Sequence, residues 1–112
     1  TMGSPLGQRH IQKYLSGYSA RGAERYPHNI RRWKNLSAVG DLTSIDPRLT
    51  NDFADLLELG LVDSFDDHEI FNWFRLDGEL NVHSEYGYFA NDTTARTVAD
   101  WWRNHDSSLD AA

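Results

Sequence analysis

Trp33-Lys34-Asn35-Leu36-Ser37-Ala38-Val39-Gly40-Asp41 is the stretch on which the fold turns. Trp33, Leu36, Ala38 and Val39 are its apolar members, and Gly40-Asp41 ends it as a turn. It therefore predicts a strand that delivers a carboxylate at its C-terminal end. Downstream, Ile70-Phe71-Asn72-Trp73-Phe74-Arg75-Leu76 predicts a second strand, closed by Asp77-Gly78. Its aromatic and branched residues fall on both alternating faces, the pattern of a strand buried between helix layers. Upstream, the small, turn-prone residues Thr1 to Pro5 read as the end of another strand running into a loop.

Helical spacing fills the intervals. Ile11, Tyr14, Leu15 and Tyr18 stand at i, i+3, i+4 and i+7, with Gly17 and Gly22 marking the end. Phe53, Leu56 and Leu57 repeat the spacing before Gly60. A last helix begins near Asn91-Asp92, both good N-caps, and places Ala95, Val98, Ala99 and Trp102 on one face. Alternating strands and helices predict an α/β layer with parallel strands in one domain over 1–105, followed by a polar tail at 106–112. Two strands and a strand end leave that sheet incomplete, because buried parallel strands need neighbours on their edges.

Composition narrows the function. With 39% hydrophobic residues, four Trp, five Tyr and five Phe, the chain has the apolar area for a core and does not read as disordered. No apolar run approaches the roughly 18 to 20 residues of a membrane span. Eleven basic against 17 acidic residues give a net charge of -6, which disfavours general nucleic-acid binding. One basic, aromatic-rich stretch holds Arg21, Arg25, Arg31, Arg32 and Lys34 around Tyr26, His28 and Trp33. A solvated loop is preferred there over an RNA or anion site. The absence of cysteine excludes disulfides, a thiolate nucleophile and cysteine-ligated zinc. Thr1 to Gly7 lacks the basic and apolar segments of a signal peptide, and the chain opens on Thr1 rather than Met.

A serine nucleophile is not legible. Gly17-Tyr18-Ser19-Ala20-Arg21-Gly22 has its second glycine one residue too late for Gly-x-Ser-x-Gly and follows a helix instead of a strand. Ser4 reads as a turn residue. Among the histidines, His10 and His105 read as surface groups, His28 lies in the basic loop and His68 just before a strand. His83 stands in a loop between the second strand and the last helix, where α/β sheets place reactive groups. Asp41, at the end of the first strand, is the acid that would orient an imidazole there, with Asp46 in reserve. A turn or cap aspartate is the ordinary alternative for both. Asp66, Asp67 and His68 lack metal-ligand spacing and read as a solvated acidic turn, so neither metal nor cofactor is expected.

These residues resemble a family. Thr1 to Gly7 resembles the segment after the nucleophile elbow in lipase-like α/β-hydrolases. Tyr26-Pro27, Trp33 to Leu36 and Gly40-Asp41 look like the strand that ends at the triad acid. His83 with Gly87-Tyr88 and the following helix looks like the histidine loop. The family order of serine, acid, histidine is kept by Asp41 and His83. The resemblance implies the C-terminal part of an α/β-hydrolase-type parallel sheet flanked by helices. Asp41 would be the acid, His83 the general base, and the serine, oxyanion donors and remaining strands would lie upstream. The Asp41-to-His83 spacing is long for such pairs, which leaves Asp46 or Asp63 open as the acid. The implied partners are the N-terminal part of the same hydrolase and a small ester or acyl substrate. A different class, a small non-catalytic domain that self-associates as a homodimer through its sheet edges, is the alternative.

Overall fold

The computed structural model describes residues 1–109, with side chains described through 104. In chain order the elements are α1 (Arg9–Gln12), β1 (Arg32–Ala38), α2 (Leu49–Asp52), α3 (Asp55–Glu58), β2 (Ser64–Ile70), β3 (Arg75–Leu76), β4 (Glu79–Leu80), α4 (Glu85–Phe89) and α5 (Asp92–Leu109). The architecture is mixed α/β. β1 and β2 pair in parallel, from Arg32 beside Ser64 to Ala38 beside Ile70. Along the other edge of β1, Met2 forms a parallel bridge with Leu36. The Leu36 amide donates to Thr1 O and the Gly3 amide to Leu36 O, both at 2.9 Å, so Thr1 to Gly3 is the strand end expected there.

Side chains alternate across a strand, and β1 buries both faces. On one face Trp33 stacks on Phe65 at 4.5 Å and on Phe53 at 5.6 Å, joining Leu49, Leu56 and Val62 under α2 and α3. On the other, Leu36, Ala38 and Ile70 pack with Tyr88 of α4. α5 lies over this second face, its Thr94, Thr97 and Val98 lining a groove with Leu36 and Asp66.

Several expectations need correction. β2 is not Ile70 to Leu76: it occupies Ser64–Ile70 and ends where the apolar run begins. Phe71 to Phe74 leaves the sheet, with Phe71 and Trp73 exposed. Arg75–Leu76 turns back on Glu79–Leu80 through Asp77 (φ 52°) and Gly78 (φ 84°), a two-residue hairpin loop with both dihedrals left-handed. Ser64 to Ile70 becomes a strand despite three acidic residues because its neighbours satisfy two of them. Asp66 faces Lys34 across the ladder at 3.6 Å. Asp67 caps α2 from outside the helix, accepting from the Leu49 and Thr50 amides at 3.1 and 3.0 Å and from Thr50 Oγ1 at 2.6 Å. The supposed acidic turn before His68 is thus sheet, and His68 lies within it.

The first helix is shorter than its spacing predicts. α1 ends at Gln12, and Tyr14 and Tyr18 are exposed. Gly17 lies so close to the Arg25 backbone that a Cβ there would meet Arg25 O at 2.0 Å, so the chain doubles back instead of continuing a helix. α5 begins where expected, with the Asn91 side chain accepting from the Thr93 amide at 2.8 Å. Yet Val98 and Trp102 of its apolar face are exposed, and Thr94 is the buried contact. α5 runs through Leu109; residues 110–112 of the polar tail, and the His105 side chain, lie outside the described residues. Among the described residues no helix is long and apolar enough to cross a membrane.

Candidate active site

β1 ends in a turn in which the Asp41 amide donates to Ala38 O at 3.0 Å and Gly40 takes φ 83°. Asp41 then opens a short 3-10 turn over Leu42–Ser44, its Oδ1 accepting from the Thr43 amide at 2.9 Å. The cap role and the contact with His83 coexist because a carboxylate has two oxygens. Oδ2 faces the other way, 2.8 Å from His83 Nδ1 and 2.7 Å from the Tyr88 hydroxyl. A carboxylate can only accept, so the proton of that first bond sits on Nδ1, leaving the Nε2 lone pair unprotonated in the neutral ring.

The two partners differ sharply in exposure. The Asp41 side chain is fully buried, whereas that of His83 is 56% exposed. Burial pushes the Asp41 carboxyl up, but hydrogen bonds from His83, Tyr88 and the Thr43 amide outweigh it and hold the group below its ordinary 3.8. Tyr88 is raised to about 12, chiefly by burial and by its bond to Asp41. Among the described residues nothing hydrogen-bonds to His83 Nε2.

The histidine loop is built from short-range caps and one long-range anchor. The His83 amide donates to Asn81 Oδ1 at 3.3 Å. Buried Asn72 donates through Nδ2 to Val82 O and Ser84 O, both at 2.9 Å, and its Oδ1 accepts from the Phe74 amide at 3.1 Å. Gly87 makes room for Asn72, since a Cβ there would lie 1.5 Å from Asn72 Oδ1. Gly3 (φ +55°) closes the site from the neighbouring strand end. A Cβ there would meet Asp41 Oδ2 at 3.0 Å, Tyr88 Oη at 3.2 Å and His83 Cε1 at 3.3 Å.

Of the three carboxylates left open by the sequence, only Asp41 meets His83. Asp46 instead caps the Arg48 amide at 3.2 Å. Asp63 precedes β2 at the opposite end of the sheet and pairs with Arg31 at 3.0 Å. In the basic stretch, Arg25, Arg31 and Lys34 pair with Asp55, Asp63 and Asp66, which reduces its pull on an anion. Among the described residues no three His, Asp or Glu side chains converge on a possible metal position. Sequence reasoning missed Asn72 and passed over Tyr88 as part of the histidine loop. A lone asparagine inside Ile-Phe-Asn-Trp-Phe was the available signal for the first, because a polar group among apolar neighbours needs partners. No protein-family model, curated protein or solved structure matches the chain.

Proposed function

We propose that this chain is the C-terminal part of an esterase- or lipase-like serine hydrolase of the α/β-hydrolase type, supplying Asp41 as the acid and His83 as the general base. The observation that carries this reading is the 2.8 Å contact between a fully buried carboxylate and Nδ1 of a half-exposed imidazole, beyond the C-terminal ends of parallel strands. The nucleophilic serine lies upstream of these residues. His83 Nε2 takes the serine proton as the oxygen attacks the ester carbonyl, and Asp41 stabilises the imidazolium. The imidazolium then gives that proton to the departing alkoxide, leaving an acyl-serine. Water, deprotonated by the same nitrogen, releases the acid and regenerates the serine.

The test is hydrolysis of a p-nitrophenyl ester and fluorophosphonate labelling by the protein expressed with its upstream coding sequence. Both activities are expected, together with a Gly-x-Ser-x-Gly serine as the labelled residue, and both are lost in His83→Ala. Ester hydrolysis that survives His83→Ala overturns the assignment.

A non-catalytic, self-associating domain is the second reading. What favours it is the outward aromatic pair Phe71 and Trp73, stacked at 5.7 Å and exposed, on a chain with a short strand end at its sheet edge. A concentration-dependent dimer in light scattering, with no labelled serine in the longer protein, selects it.

A further inference from the structure

We propose that Tyr88 is a positioning residue of the acid–histidine pair, its hydroxyl keeping Asp41 Oδ2 at the imidazole by occupying the Ala38 amide on its other side. This rests on the pairing of His83 with Asp41 and is independent of where a serine comes from. Ala38 is the last residue of β1, and its amide donates to Tyr88 Oη at 2.8 Å. A hydroxyl has one proton, and the amide already claims one of its lone pairs, so the proton goes to Asp41 Oδ2 at 2.7 Å. Tyr88 is buried, at 2% exposure.

Without the Tyr88 oxygen the buried Ala38 amide would lose its acceptor, while Asp41 would keep His83 and the Thr43 amide, and an unsatisfied buried amide is costly. The carboxylate would turn toward the amide and draw Oδ2 from His83 Nδ1. The tautomer that leaves Nε2 free to accept a proton depends on that bond. Phenylalanine keeps the ring packed on Leu36, Ala38 and Ile70, so the hydroxyl can be removed without emptying the core.

The experiment is nitrogen-15 NMR of His83 in the protein and in Tyr88→Phe. In the folded variant, the ratio of the Nδ1–H to the Nε2–H tautomer of the neutral ring is expected to fall about five-fold, the equivalent of one ordinary hydrogen bond. The Nδ1 proton should also exchange faster with water. A folded Tyr88→Phe with an unchanged ratio and exchange rate overturns the proposal, because a role in packing alone leaves both unmoved. If the variant does not fold, the unsubstituted protein decides. Two protons donated to one oxygen lie close together, so a through-space contact between the Tyr88 hydroxyl proton and the His83 Nδ1 proton is required, and its absence overturns the proposal. Neither readout needs turnover, so a missing hydrolase activity in the longer protein would leave this inference standing.

Discussion

Asn72 holds the backbone on both sides of His83, donating to the carbonyls of Val82 and Ser84 at 2.9 Å each. The residue leaves the sheet just after β2, so one buried amide group ties the histidine loop to the strand that precedes it. Asn72→Asp keeps the shape but replaces a two-proton donor by a carboxylate facing two carbonyls. We expect a loss of about 2 to 4 kcal/mol in denaturant unfolding. The His83 resonances should broaden as the loop samples more than one position. A stability within 0.5 kcal/mol of the parent, about the effect of an ordinary surface substitution, would show that the loop is held by other means.

Gly87→Ala tests the same anchor from the opposite side. Its Cβ would overlap Asn72 Oδ1, so either Asn72 or α4 must move. The expected cost is about 3 kcal/mol or more, in the range of overpacked cores. Adding Asn72→Ala should recover part of it, since the colliding amide is then gone. Strictly additive losses in the double variant would contradict the steric account.

Asp41→Asn separates charge from shape at the site. An asparagine can present Nδ2 to His83 Nδ1 and thereby favour the wrong tautomer. In the longer protein, if it is the proposed hydrolase, ester hydrolysis should drop about 10⁴-fold with little change in fold. Retention of most of the activity would remove Asp41 from the proposed triad.

Asp41 also makes stability depend on pH at the acid end. Its folded value lies below 3.8, so the stabilisation is full above about pH 5, where both states are ionised. It is lost as pH falls through the lower folded value. Urea unfolding at about pH 3 and about pH 7 should show a larger acid loss in the parent than in Asp41→Asn. Equal losses would mean that other carboxylates govern the acid limb.

At the alkaline end Tyr88 is raised from 10 to about 12, so its contribution is complete below pH 10 and declines as pH rises through about 12. Tyr26, also raised to about 12 beside Asp55, adds a parallel alkaline loss. Tyr88→Phe should flatten the alkaline limb of unfolding without abolishing it, and an unaltered limb would show that the Tyr88 hydroxyl ionises freely.

Asp67→Ala probes how β2 is held. It removes the acceptor for the Leu49 and Thr50 amides and for Asn35 Nδ2, which donates to it at 3.0 Å. We expect a loss of about 2 to 4 kcal/mol, larger than for an exposed helix cap because the orphaned groups are part-buried. Calorimetry gives the value, and a loss below about 1 kcal/mol would indicate that water replaces the carboxylate.

The sequence by itself determined β1, its turn into Asp41, the start of α5 and the alternation of strands and helices. Those features rest on local signals: an apolar strand closed by glycine, an asparagine cap, and the α/β order of elements. It also singled out His83 and Asp41 from their places after strands. Tertiary structure decided where β2 runs, because Asp66 and Asp67 are stabilised by Lys34 and by the amides of residues 49 and 50, partners that no local window contains. The most apolar stretch is therefore not the strand that its composition predicts, since Phe71 and Trp73 are exposed while Asn72 between them is buried. Only the fold selected Asp41 over Asp46 and Asp63, and only the fold brought Tyr88 and Asn72 to the site. Hydrogen bonds to a buried carboxylate or carbonyl depend on distances across the sheet and its loops, and those distances exist once the two cores have closed on either face of β1.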